Sequence, residues 1–82
     1  DEFLILLPET EEEQAIQVME RVRQVLTSSP VIYQKEQFSL SISCGIASIK
    51  EWTDTLEDLL KRADKALYQA KVRGGNNISI FA

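Results

Sequence analysis

The first hydrophobic segment predicts a buried strand. Residues 3–7 are apolar at every position, and Pro8 ends the run. Five residues is strand length, and a run without polar residues is typical of a strand covered on both faces. Because only Asp1 and Glu2 precede this central element, we expect the sequence to begin within a domain.

A second strand is predicted by alternation. From residue 38 to residue 44, apolar residues take every second position and serines stand between them, and residues 45–47 extend the segment. Period two predicts a strand with one apolar face. Its other face carries the small residues Ser43, Gly45 and Ala47, which favour close packing of a helix over the alternative, close approach of a ligand.

The first of two predicted helices follows Pro8. Thr10 is the expected N-cap, and Glu13 completes a capping box. From Ala15 to Leu26 the apolar residues recur at helical spacing, which predicts one buried stripe.

The second helix has the clearest pattern. It is expected to start near Thr55, with Asp58 completing the capping box, and its apolar stripe runs from Leu56 to Ala70. Two glycines at positions 74–75 are expected to stop it.

The order of elements predicts a layered α/β or α+β domain. Residues 31–33 are a possible short strand before a polar turn at 34–37, and residues 78–81 are a final strand. The expected order is therefore strand, helix, strand with a possible hairpin, helix, strand.

Composition excludes several classes of protein. The 82 residues carry a net charge of −4, one Cys and no His. One Cys forms no internal disulfide, and Cys44, on the apolar face of its strand, is interpreted as core because no His is present to activate it. Acidity argues against nucleic-acid binding, and no apolar run is long enough to span a membrane.

Two groups of residues are candidates for chemistry. Asp1 and Glu2 place adjacent carboxylates at a strand end, where they suit a hard cation such as Mg²⁺, although solvated surface charges have the same pattern. Lys71 and Arg73, beside the glycines, suit phosphate, although basic residues in a last helical turn also occur for purely structural reasons.

The chain as a whole resembles the GGDEF family. Asp1-Glu2-Phe3 resembles the end of the motif that names the family. Residues 43–47 resemble its Ser-x-Gly-[Ile/Val]-Ala strand, and residues 59–71 resemble its Arg-Ala-Asp-x-Ala-Leu-Tyr-x-Ala-Lys helix. Asn76 stands where the family has an Asn after that helix.

This resemblance implies a fold and a function. It implies that residues 1–82 are the C-terminal portion of a GGDEF domain with a ferredoxin-like, nucleotidyl-cyclase palm-like sheet. Such domains are diguanylate cyclases, which join two GTP molecules into cyclic di-GMP with Mg²⁺ or Mn²⁺. Two domains meet as a homodimer in the bacterial cytoplasm under an upstream sensor or regulatory domain. The resemblance implies no nucleic-acid partner, and we expect no membrane contact by this segment.

The resemblance also implies site residues. Asp1 matches a metal ligand that is proposed to help deprotonate the attacking 3′-hydroxyl, and Glu2 matches a second catalytic acidic position. Lys71 matches a lysine that contacts the phosphates of GTP.

Departures from the family pattern leave alternatives open. The family's N-terminal half, with a strand next to residues 3–7, is absent from this sequence. We therefore expect the chain alone to be inactive, and to be unstable, swapped with a copy of itself, or the ordered remnant of a longer protein. Gly75 stands where the family usually has a phosphate-contacting Arg. One alternative is thus a degenerate domain that binds GTP or a partner without synthesis, and another is an unrelated α/β interaction module.

Overall fold

The computed structural model describes residues 2–81 and combines helices with two small sheets. The helices are α1 (Glu12–Ser28) and α2 (Leu56–Val72), and the strands are β1 (Val31–Tyr33), β2 (Glu36–Phe38), β3 (Cys44–Ile46) and β4 (Ile78–Ile80). β1 pairs with β2 antiparallel, and β3 pairs with β4 parallel. The predicted α+β class is confirmed.

The β3–β4 pair lies between the two helices. Ile46 of β3 packs with Ala15 and Met19 of α1 in the hydrophobic core cluster. Gly45, the next residue along the strand, faces α2 instead, because neighbouring residues of a strand point to opposite faces. The two helices therefore cover opposite faces of this sheet.

Gly45 allows α2 to approach the sheet at backbone distance. A Cβ at this position would lie 2.3 Å from both the carbonyl oxygen of Ala63 and the amide nitrogen of Leu67. These are backbone atoms of the helix, so neither can move aside alone. The small face predicted for this strand is thus used for helix packing at Gly45.

The ends of α2 are where the sequence predicts them. The Thr55 hydroxyl accepts a hydrogen bond from the Asp58 amide at 3.1 Å, and the Asp58 carboxylate accepts one from the Thr55 amide at 2.9 Å. At the other end, Gly74 and Gly75 have φ of +107° and +75°. This left-handed backbone stops the helix and lets the Gly75 amide donate to the carbonyl of Ala70.

The predicted cap of α1 is wrong by one residue. Glu11 is the N-cap, and its amide donates to Gln14 Oε1 at 3.1 Å. The Thr10 hydroxyl donates instead to the carbonyl of Pro8, two residues earlier. Because the Thr10 hydroxyl is used in this local turn, it does not cap the helix, and the N-cap lies one residue later, at Glu11.

The predicted strand at residues 3–7 is not formed in this structure. The segment has no assigned strand, and its side chains are exposed, from 90% at Phe3 to 37% at Leu7. A strand needs a neighbour to bond its N–H and C=O groups, and no strand of the described residues pairs with this one. Hydrophobic composition alone therefore did not determine its structure.

The predicted strand from residue 38 to residue 47 is only partly correct. Phe38 ends β2, β3 covers Cys44–Ile46, and residues 39–43 belong to no strand. The reason is again pairing, because β2 bonds to β1 and β3 bonds to β4.

The possible hairpin is present, with a two-residue turn. Gln34 and Lys35 both have positive φ, 51° and 67°. Positive φ at both central residues is typical of the type I′ turn, whose twist matches that of the paired strands. Neither residue is the Asn or Gly that usually marks this turn, and that is why the sequence left the region ambiguous.

A buried carboxylate fastens the loop before α2. Asp54 accepts two hydrogen bonds from the Arg62 guanidinium, at 2.8 and 2.9 Å, and two from the amides of Lys50 and Glu51. These hydrogen bonds, that of Arg62 first, hold the pKa of Asp54 far below its usual range. Each stabilises the charged form of the carboxylate.

Gly45→Ala is expected to destabilise the fold strongly. The new methyl group would overlap the backbone of α2, and overpacking of this kind costs about 1–3 kcal/mol or more. Urea unfolding of the full-length protein measures the loss. Ser43→Ala, which adds no bulk on the same face, is the control, and equal unfolding free energies for the two variants would contradict this account.

Asp54→Asn is expected to lower the melting temperature at neutral pH, by an amount that becomes smaller as the pH falls below about 3.9. A carboxyl whose pKa is depressed by folding stabilises the protein above its unfolded pKa, about 3.9. That contribution declines as the pH falls through the lower folded pKa. Thermal melts of both proteins between pH 7 and pH 2.5 test this, and a pH-independent difference would contradict it.

Candidate functional site

One face of α2 lines a cavity of about 270 Å³. The residues from the helix are spaced three and four apart, which places them on one side of it. Glu2, from the start of the chain, also lines the cavity. The lining residues are Glu2, Asp64, Leu67, Tyr68 and Lys71.

An ion pair joins two of the predicted site residues. Lys71 Nζ lies 2.9 Å from Glu2 Oε2, although the residues are 69 positions apart in the sequence. The side chains remain 54% and 64% exposed, so solvent and solutes reach both. The hydrogen bond from Lys71, helped by its positive charge, lowers the pKa of Glu2.

The charges of the cavity suit a ligand with both anionic and cationic parts. Lys71 presents an ammonium group that can meet a phosphate oxygen. Glu2 and Asp64 present carboxylates, so acidic groups outnumber the single basic one. Leu67 and Tyr68 add an apolar and an aromatic surface.

A metal ion would require more ligands than the described residues bring together. Carboxylate oxygens are the donors that Mg²⁺ prefers, and Glu2 supplies them. Asp1, the predicted metal ligand, lies outside the described residues. Among residues 2–81, no group of three acidic or other potential ligands is close enough to hold an ion. We therefore derive no chemical step through a metal.

The two basic residues predicted to suit phosphate, Lys71 and Arg73, line different cavities in the structure. Lys71 belongs to the cavity with Glu2, whereas Arg73 lines a second cavity with Lys65 and residues of β4. Gly75 has φ of +75°, and a Cβ there would lie 3.2 Å from Ser43 Oγ. Arg73 therefore does not replace a side chain missing at position 75.

Sequence reasoning missed two residues of the cavity. It selected neither Asp64 nor Tyr68 as a site residue, yet both line the cavity beside Lys71. Their spacing from Lys71, seven and three residues, was a signal for a shared helix face. What the sequence did not reveal is that this face meets the start of the chain.

Cys44 has the surroundings of a core residue. It packs against the cluster of Ala15, Met19 and Ile46, and burial raises the pKa of its thiol. A raised pKa disfavours the nucleophilic thiolate. Across residues 2–81, neither helix has the length and hydropathy needed to cross a membrane.

Comparisons with known proteins agree on one relationship. A family model described as "Diguanylate cyclase, GGDEF domain" matches residues 1–77. The response regulator PleD of Caulobacter vibrioides is 38% identical to the chain over 80 residues. Diguanylate cyclase A of Treponema denticola is 30% identical over 80 residues, and a diguanylate cyclase of Vibrio cholerae is 33% identical over 81.

These alignments take in nearly all of the chain but little of each relative. They cover 95%, 98% and 99% of the chain, and 18%, 22% and 25% of the three relatives in the same order. The chain thus spans a quarter or less of the length of these curated relatives.

Proposed function

The chain belongs to the GGDEF family, and we propose that the protein containing it is a diguanylate cyclase. Family membership rejects the alternative of an unrelated interaction module. The proposed reaction condenses two GTP molecules into cyclic di-GMP and releases two pyrophosphates.

The contact between Glu2 and Lys71 carries this proposal. Glu2 of the acidic motif and Lys71 at the end of α2 meet at one cavity, with a 2.9 Å contact. An acidic group that can orient a hydroxyl, beside a cation that can bind phosphate, suits transfer between nucleotides. Lys71 would bind phosphate oxygens of GTP, and its fixed charge would offset the negative charge of the triphosphate.

The chemistry assigns a role to each predicted residue. In each of two transfers, a 3′-hydroxyl loses its proton and attacks the α-phosphorus of the other GTP, and the bond to pyrophosphate breaks. Asp1 and Glu2 are proposed as the acidic groups that accept the proton and orient the hydroxyl. Asp1 is also the proposed ligand of Mg²⁺ or Mn²⁺, which would supply positive charge beside the phosphates.

The reaction requires a second copy of the domain. One domain presents one GTP, so the two reactants meet when two domains face each other, and a homodimer is proposed as the active form. A regulatory domain elsewhere in the protein is proposed to control this meeting, and the name of the response regulator PleD supports such control. The proposed location is the bacterial cytoplasm, where GTP is available.

Gly75 favours a second candidate, a domain that binds GTP without synthesis. Glycine has no side chain that could contact a phosphate. The left-handed backbone at position 75 and the nearby Ser43 hydroxyl also disfavour any larger residue there. In this alternative, Lys71 holds the nucleotide, and binding regulates a partner.

Lys71→Met is expected to reduce cyclic di-GMP formation by about tenfold or more, because the phosphates lose a charged partner. The full-length protein is incubated with GTP and Mg²⁺, and the product is measured by chromatography. Lys65→Met is the matched control, since Lys65 is on the same helix but lines the other cavity.

Two results would contradict the cyclase proposal. GTP binding without any product in the unmodified protein would favour the second candidate. Equal product formation by the Lys71 and Lys65 variants would remove Lys71 from the site.

A further inference from the structure

The ammonium group of Lys71 already has an anionic partner in the ligand-free structure. Glu2 Oε2 accepts its hydrogen bond at 2.9 Å. A phosphate oxygen bound by Lys71 would use the same donor group. The carboxylate and the phosphate are therefore rivals for one cation.

We propose that Glu2 is a specificity-determining residue that competes with incoming anions for Lys71. This inference rests on the proposed function for its ligand class, a polyphosphate, and it deepens that function by describing how the site discriminates among anions. A phosphate that binds Lys71 must either displace the Glu2 carboxylate or share the ammonium group with it and bear its repulsion.

The geometry makes this exchange practicable. Both side chains are more than half exposed, so the ion pair can open without disturbing the core. Exposed ion pairs are weak, typically worth a factor of about two to five in an equilibrium constant. The competition is therefore strong enough to weaken the binding of a small anion and too weak to exclude a ligand with several contacts.

Displacement has a further electrostatic consequence. Once Lys71 turns to the ligand, Glu2 is left as a free carboxylate near the bound anion, and Asp64 lines the same cavity. Both repel negative charge. A small anion that gains only the Lys71 contact is disfavoured by this repulsion. A polyphosphate attached to a larger molecule can offset the repulsion through contacts made by the rest of that molecule.

Substituting Glu2 and Asp64 one at a time distinguishes competition for Lys71 from general repulsion of the anion by a carboxylate. Glu2→Gln and Asp64→Asn each remove one negative charge from the cavity lining, but only Glu2 pairs with Lys71. The probe is inorganic triphosphate in EDTA, titrated by calorimetry into the full-length protein. We expect Glu2→Gln to tighten binding about two- to fivefold and Asp64→Asn to tighten it less.

The lysine is then removed to complete the test. Lys71→Met is expected to weaken triphosphate binding, and addition of Glu2→Gln to that variant is expected to tighten it no more than Asp64→Asn does, because only repulsion is then removed. A double-variant cycle of this kind isolates the coupling between the two side chains. Thermal melts confirm that each variant is folded.

Three results would overturn the inference. They are equal tightening by Glu2→Gln and Asp64→Asn, tightening by Glu2→Gln that is as large without Lys71 as with it, and no triphosphate binding by any variant. A parallel assay of cyclic di-GMP formation by the unmodified protein with GTP and Mg²⁺ tests the proposed function separately. If product forms but Glu2→Gln has no effect on triphosphate binding, only the inference fails, and in the reverse case only the proposed function fails.

Discussion

The approach of α2 to the backbone of Gly45 is the constraint on which the candidate site depends. The helix contacts the strand through backbone atoms of Ala63 and Leu67, which fixes its distance from the sheet. Leu67 also lines the cavity, so the residue that touches the sheet belongs to the face that carries Lys71. Packing at one glycine therefore sets the position of the charged groups that this helix carries.

The rest of the chain is less tightly packed than this contact. The radius of gyration is 14.3 Å, whereas a compact chain of this length has a value of roughly 12 Å. Residues 3–7 and the valines of α1 leave apolar surface open to solvent. Glu2, which directly precedes this exposed segment, nevertheless forms an ion pair with Lys71 in the last turn of α2.

The same pair connects the proposed chemistry with its selectivity. A lysine that can bind phosphate is held by a carboxylate of the acidic motif, and both remain accessible. By contrast, the Asp54–Arg62 pair is largely buried and receives further amide hydrogen bonds, which suits a permanent role in holding the loop before α2. Exposure separates an ion pair that can exchange partners from one that cannot.

Local signals in the sequence determined α2, from its Thr55 cap to its glycine stop, and they also determined the small face at Gly45. These features arise from neighbouring residues, whose spacing can be read directly. Two predictions were wrong, a strand at residues 3–7 and a continuous strand through residues 39–43. A strand needs a hydrogen-bonded partner, and a hydrophobic pattern does not specify that partner. Only the tertiary structure brought Glu2 to Lys71 and added Asp64 and Tyr68 to the cavity, because contact between residues so far apart depends on how the helix packs on the sheet.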